Sequence, residues 1–403
     1  MERCNYPALS RRRFLVGSGV FAAWATMPKV GFAGARDPRF VVVILRGALD
    51  GLAAVAPIGD PNYRSLRGAL ALGEGGREVL PLNDGFFALN DAMPKFDAYF
   101  ARRQALVVHA AATPYRDRSH FDGQNVLESG LDGPSGTQSG WLNRVATALP
   151  AGERVRTQSG LAIGPTIPLI LAGPAGTLTW SPQNFRPARE DTAMRLASLY
   201  GETDHELAKL LTEGLVTDGM MAGTPFDIEK GPARSFRIMA NGAAKLLAQE
   251  DGPRLAAISY EGWDTHVQEG ADHGRLARNL TALDLALDDL ARGLGPAWKD
   301  TVVAVVTEFG RTAWGNGGGG TDHGTGTTAF LLGGAVRGGR VVADWPGLRE
   351  ADLHEGRDLK PTTDLRAVLK GVLKDHLGLS EKTLAREIFP DSIGVRPMAG
   401  LVA

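Results

Sequence analysis

The sequence predicts an α/β protein, a mostly parallel sheet sandwiched by helices and carrying loop-rich insertions. Three observations point there. Continuous apolar runs of strand length, such as Phe40–Leu45 and Val302–Thr307, lack the alternation of a half-exposed sheet and read as strands buried on both faces. Patterns of helical period fall between them. The 52 glycines are spread through the chain without breaking those runs, which suits tight turns and close backbone approaches more than disorder.

Taken in order, the chain begins with an export signal. Ser10-Arg11-Arg12-Arg13-Phe14-Leu15 precedes an apolar stretch from Phe14 to Thr26 and then Ala33-Gly34-Ala35. A charged region, an apolar core and a small-x-small cleavage site make a signal peptide over residues 1–35, and the arginines followed by Phe-Leu mark the twin-arginine type. The expected handler is the twin-arginine translocase, and the expected destination is the periplasm or the outside. The apolar stretch is shorter than the roughly 20 residues that span a bilayer, and nothing later is long and apolar enough to predict a transmembrane segment. Cys4, the single cysteine, lies inside this signal. The mature chain therefore has neither disulfides nor thiolate metal ligands.

From residue 36 to 403 the pattern suits one domain. Phe40–Leu45 is the first strand, ending at "RGALDGLAAVAP" with Asp50 just beyond. Residues 54–90 are loop-rich, and "NDAMPKFDAYFARRQ" reads as a helix opening at an asparagine cap, Asn90. Ala105–His109 is a second strand. The segment of about 130–190, dense in Gly, Pro, Ser and Thr, reads as an inserted loop or small β insertion. Residues 189–214 and 232–249 look helical. "LAAISY", 255–260, is a further strand, ending at "EGWDTH". Leu276, Leu280, Leu283, Leu287, Leu290 and Leu294 alternate spacings of four and three, the stripe of an amphipathic helix, with Gly295 as its stop. His273 sits on the same face and is expected to pack in the core. Val302–Thr307 and Ala329–Leu332 complete the strands, and a helix over about 360–380 closes the chain.

Composition excludes some functions. With 43% hydrophobic and 22% charged residues and a net charge of -1, the chain offers no electrostatic attraction to nucleic acid or an anionic membrane. The chemistry gathers instead where loops leave the carboxyl ends of strands, the edge at which open α/β sheets bind ligands. Asp50 follows the first strand, Ser119 and His120 the second, Asp264 and His266 the third. Glu308 and Arg311 end the fourth, with Asp322 and His323 just beyond. Imidazole and carboxylate together suit a divalent metal, Zn²⁺ or Mn²⁺, better than Ca²⁺, which prefers oxygen shells. One or two such ions would polarise an ester and acidify water. Arg311 could clamp an anion bidentately, and the glycines of 315–320 would let backbone approach a ligand.

Several of these residues admit a plainer role. Ser119 and Asp122 fit a helix cap as well as a nucleophile site. His120 could ligate or only hydrogen-bond, and Glu308 could simply pair with Arg311. Asp50-Gly51 could be turn chemistry. Trp263 and Trp314 could wall a pocket or only pack. His109, His205, His354 and His376 read as structural or surface.

"RGALDG", "PYRDRSHFD", "GWDTH", "TEFGRT" and "GTDHG", in this order after a twin-arginine signal, resemble the DUF1501 family of exported bacterial proteins, placed in the alkaline phosphatase/sulfatase-like superfamily. The resemblance covers essentially the whole mature chain and implies an alkaline phosphatase-like fold. It further implies a metal-dependent hydrolase of phosphate or sulfate esters, acting on a small molecule or on a glycan or lipid. By position, Asp50 resembles the first-strand metal Asp, Asp264 and His266 an Asp…His metal pair, and Asp322-His323 the last metal-binding histidine region. Ser119 stands near the place of the nucleophile. Two positions depart: Glu308-Phe309 replaces the Asp-His that ends the penultimate strand, and Asp264/His266 are closer than Asp-x-x-x-His. A fold kept by a non-catalytic binding or assembly protein is the other reading.

Overall fold

A computed structural model describes residues 36–73, 78–83, 85–149, 158–182 and 233–403, with isolated positions between 183 and 232. The expected signal peptide, and nearly all of the helix expected over 189–214, lie outside the described residues. Pro38–Ala403 forms one compact unit.

Strand β1 (Arg39–Arg46) opens it. A small antiparallel sheet follows from β2 (Val55–Ala56), β3 (Val79–Leu82) and β4 (Phe87–Asn90). The remaining strands are β5 (Ala105–Ala112), β6 (Gln158–Ile163), β7 (Gly176–Trp180), β8 (Leu255–Glu261), β9 (Thr301–Thr307), β10 (Thr327–Leu332), β11 (Val341–Val342) and β12 (Thr363–Asp364). The main sheet has nine strands in the order β11-β5-β10-β9-β1-β8-β6-β7, with β12 pairing beside β5. Every pairing is parallel except those of β10, which runs against both β5 and β9. A mostly parallel sheet flanked by helices is the fold.

Why the apolar runs become the centre of the sheet is visible in β1. Its side chains alternate between two faces, and both faces are covered. Val41, Val43 and Leu45 join a core with Leu280, Leu283 and Leu287. Phe40, Val42 and Ile44 join another with Trp141, Val368 and Val372. The helices, numbered in chain order, are α1 (Gly51–Ala54), α2 (Tyr63–Arg67), α3 (Pro94–Ala101), α4 (His120–Ser129), α5 (Trp141–Ala148), α6 (Arg234–Leu247), α7 (Arg275–Leu294) and α8 (Leu365–Leu377). On α7 all six leucines of the stripe are at most 3% exposed, and truncating one to alanine costs about 2–5 kcal/mol.

Three local expectations fail, each for a physical reason. The region of about 130–190 is no insertion: it supplies α5 and then β6 and β7, which extend the parallel sheet beyond β8. Its Gly, Ser and Thr content hid strands at the sheet's margin, where fewer apolar residues are needed. Asn90 does not cap α3, which begins at Pro94. The cap comes from elsewhere, as the Asp284 carboxylate of α7 accepts the Lys95 and Phe96 backbone N–H groups at 3.0 and 2.7 Å. Asn90 instead donates to the Ala53 and Ala271 carbonyls in the core. His273 precedes α7 and is exposed, paired with Asp272 at 2.6 Å.

Because β1, β5, β8 and β9 point the same way, their carboxyl ends share one edge, and β10 starts from that edge. The connection from β9 to β10 therefore leaves and re-enters the sheet at one place.

Candidate metal centre

Three imidazoles meet there. His120 is the first residue of α4, His266 follows β8 by five residues, and His323 lies in the connection between β9 and β10. Nε2 of His323 is 3.0 Å from Nε2 of His120 and 3.0 Å from Nε2 of His266. Oδ1 of Asp264 lies 3.0 Å from the His266 Nε2, 3.3 Å from that of His323 and 3.5 Å from that of His120. His120, Asp264 and His323 each offer an atom within 4.8 Å of the other two, a possible metal site among the described residues.

Each ring is turned by its other nitrogen. Nδ1 of His120 donates to Glu308 Oε1 at 2.9 Å, Nδ1 of His266 to Asp322 Oδ1 at 3.2 Å, and Nδ1 of His323 to the Arg118 carbonyl at 3.0 Å. A carbonyl or ionised carboxylate can only accept, so the proton belongs on Nδ1 and the Nε2 lone pair faces inward. Three lone pairs and a carboxylate oxygen at these separations repel unless a cation or a proton lies among them. Zn²⁺ bonds of about 2.0–2.1 Å to tetrahedral ligands put ligand atoms about 3.3 Å apart. The separations among His120, His323 and Asp264 bracket that value, so these three fit a divalent ion, with His266 beside them.

The electrostatics agree. The Glu308 hydrogen bond, working against burial, raises the His120 imidazole above its ordinary value. Burial, with His120 and Arg311 nearby, lowers His323. Burial by itself would raise Asp264, but Arg311 outweighs it and keeps the carboxyl below the usual range.

Glu308 is fully buried. It accepts from Gly47 N, Gln124 Nε2 and Thr307 Oγ1 as well as His120, and these bonds overcome burial to hold its carboxyl below the usual range. It orients His120 and makes no pair with Arg311. Gly47 must be glycine here: its φ is 118°, and a Cβ would stand 2.4 Å from Asp264 N. Phe309, next along, stacks on the His120 ring with centroids 4.9 Å apart, so this position walls the imidazole.

Other expected residues stand apart from the lone pairs. Asp50 accepts the Leu52 and Ala53 N–H groups as cap of α1 and is ion-paired with Arg67, both side chains at most 1% exposed. Its charge is satisfied there, away from the imidazoles. Arg311 is no free anion clamp: the buried guanidinium donates to Asp264 at 2.6 Å, to Thr321 Oγ1 at 3.0 Å and to the Thr321 carbonyl. Ser119 caps α4 through a long 3.5 Å bond from Asp122 N. Asp322 supports His266 from behind. Trp263 is fully buried beside Tyr260, while Trp314 is 39% exposed.

The glycine loop packs closely against neighbouring backbone. Gln268 and Glu269 N–H groups donate to the Gly318 and Gly319 carbonyls, and Thr321 N donates to the Thr265 carbonyl. A Cβ on Gly320 would lie 2.3 Å from that Thr265 oxygen. Asn316, overlooked in the sequence, ties this together by donating to the His266 carbonyl and to Asp322 Oδ1, both at 3.0 Å. An asparagine opening a glycine run is a turn signal that could have exposed it. Gln124, Arg67 and Glu269 left no comparable signal.

The family model described as "Protein of unknown function (DUF1501)" matches residues 94–389. The chain belongs to the DUF1501 family. No curated protein matches it. Among solved structures, this DUF1501 chain is similar to Ps i-CgsB in complex with k-i-k-neocarrahexaose, at 11% identity and TM-score 0.45 over 90% of this chain and 77% of that one. It is similar to the phosphonate monoester hydrolase of Agrobacterium radiobacter, at 12% identity and TM-score 0.35 over 85% and 74%. A protein in the alkaline phosphatase superfamily from Vibrio parahaemolyticus is 12% identical, with TM-score 0.35 over 75% and 61%. These likenesses are distant, and the functional reading stands on the geometry of the site.

Proposed function

We propose that this DUF1501 protein is an exported hydrolase of phosphate or sulfate esters that works with a single divalent ion, Zn²⁺ or Mn²⁺. The observation that carries the reading is the meeting of His120 Nε2, His323 Nε2 and Asp264 Oδ1, with His266 Nε2 beside the last two. His120, His323 and Asp264 would hold the ion with a position left for water, and His266 stands beside them. An ion bound there supplies Lewis acidity toward an ester oxygen and acidifies water to near neutrality. Glu308, Asp322 and the Arg118 carbonyl hold the imidazoles in the tautomer that leaves Nε2 free. Arg311 fixes Asp264 and offsets its charge. Asp50 is neutralised by Arg67, which is why one ion suffices.

The side chains of His120, His266, His323 and Asp264 are between 26% and 43% exposed, so solvent and substrate reach them. Phe121 follows His120 and is 85% exposed; Val267 follows His266 and Trp314 lies in the same loop as His323, at 53% and 39%. Apolar surface beside the ligands suits the face of a sugar ring or a lipid chain. Water is the simpler nucleophile, since Ser119 Oγ already serves the cap of α4.

The test is metal analysis of purified protein, with zinc titration and a panel of aryl phosphate and sulfate esters. Wild-type protein should bind one equivalent and turn over an ester. His323→Ala should lose both, with affinity down more than about a hundredfold, since even outer partners are worth 10- to 100-fold. Ser119→Ala should keep most of the rate if water attacks and lose it if the serine does. Protein that binds no metal rules the proposal out. Arg311's burial favours a second reading, a metal-bearing binding or assembly protein without turnover; bound zinc with every ester inert selects it.

A further inference from the structure

Behind Arg311 lies a second polar group, wholly buried. Glu269 is 0% exposed, in the loop between β8 and α7. Its Oε2 accepts from Thr321 Oγ1 at 2.6 Å, and its Oε1 is buried with no hydrogen-bond partner among ordinary donors. What faces it is the Asp50 carboxyl, with Arg67 as the charge nearby. Asp50 is already fully engaged as an acceptor, from Leu52 N, Ala53 N and the Arg67 guanidinium. Two buried carboxylates beside one guanidinium leave one negative charge too many, and neither can donate to the other. A single proton settles both problems.

We propose that Glu269 is a neutral carboxylic acid whose Oε1–H donates to Asp50, and that it acts as a positioning residue for the metal centre. The path is short. With Oε2 accepting the Thr321 hydroxyl proton, the Thr321 oxygen keeps a lone pair for Arg311 Nε. The guanidinium so held places Nη1 on Asp264 Oδ1. Burial first, and then Asp50, push the Glu269 carboxyl well above the usual range, in the same direction. The role toward the metal rests on the reading of the imidazole centre given above; the proton does not.

The experiment compares Glu269→Gln with Glu269→Ala. An amide reproduces both bonds of the neutral acid, Nε2 donating to Asp50 and the oxygen accepting from Thr321. In metal-free protein at neutral pH, E269Q should melt close to wild type and E269A well below it. The infrared difference between wild type and E269Q should show the C=O stretch of a protonated carboxyl. On zinc titration E269Q should stay within about threefold of wild type, and E269A should weaken about tenfold, the lower end of what outer partners contribute. E269Q melting as low as E269A, with no such band, overturns the proton. Zinc affinity of E269A equal to wild type overturns the positioning role. Wild-type protein that takes up no zinc sinks the metal reading and, with it, the positioning role; melting and infrared still decide the proton.

Discussion

Two groups of polar residues lie within one or two side chains of each other and are built on opposite principles. The inner group, Asp50, Arg67 and Glu269, is sealed, and its charges are balanced by one guanidinium and the proposed proton. The outer group, His120, His266, His323 and Asp264, is reachable by solvent and has acceptors turned against acceptors. The interior imidazole His109 sharpens the contrast. Its Nε2 donates to the Val55 carbonyl and its Nδ1 accepts from Ala110 N, both at 2.8 Å, so nothing further is needed. A buried polar group that finds its partners within the chain serves the fold; one that leaves lone pairs facing each other asks for something from outside.

Breaking the inner group should cost the most stability and leave the outer one able to bind. Arg67→Met strands Asp50 in the core, and removing one partner of a buried pair costs about 3–5 kcal/mol. Chemical unfolding should show that loss, while zinc still binds to whatever protein remains folded. A loss of zinc stoichiometry in folded R67M would mean the two groups are one site.

The next effect is a pH dependence inside the core. Burial lowers His109 to about 4 from 6.5, so the unfolded chain binds a proton first and acidification from about pH 6.5 to 4 removes roughly 3 kcal/mol. Burial raises Asp284 to about 6 from 3.8. Here the folded state binds the proton first, so a stabilising term of similar size, present at low pH, disappears as pH rises through 6. In wild-type protein the two nearly cancel. Asp284→Asn removes the second, and its stability relative to wild type should fall by about 3 kcal/mol between pH 6.5 and 4. Parallel pH profiles would sink this account of the interior.

A smaller change tests the outer group. Glu308→Gln retains a hydrogen-bonding group of the same shape but removes the charge that fixes the His120 proton on Nδ1. Zinc affinity should drop about 10- to 100-fold, with thermal stability of the metal-free protein little changed. Unaltered affinity would mean that His120 is no ligand.

How much of this could be read in the sequence follows the same division. Runs such as Phe40–Leu45 and the leucine stripe of α7 announce themselves because burial on a regular lattice leaves a period. The shared edge was legible too, since parallel strands must end together and the polar residues come just after them. What stayed hidden depends on partners far away in the chain. Asp50 looks like a ligand until Arg67 is folded against it, Glu308 looks like half of a local pair until His120 arrives at the start of α4, and Asn90 looks like a cap until Asp284 takes the position. Glu269 carries no pattern at all, because a buried acid is recognised only by what surrounds it. Strands β6 and β7 read as a loop or small β insertion and not as part of the main sheet, because margins of a sheet tolerate small and polar residues.

One feature of the sheet has a bearing on how such a protein can change. Since β10, alone among the described strands of the main sheet, runs backward, residues 308–326 form a single excursion that departs from and returns to the working edge. That one stretch carries Glu308, Arg311, Asn316, Thr321, Asp322 and His323. Exchanging it as a cassette would rewrite half of the polar machinery and leave the scaffold's strand order untouched, so loss or alteration of the chemistry is within reach of one short genetic event.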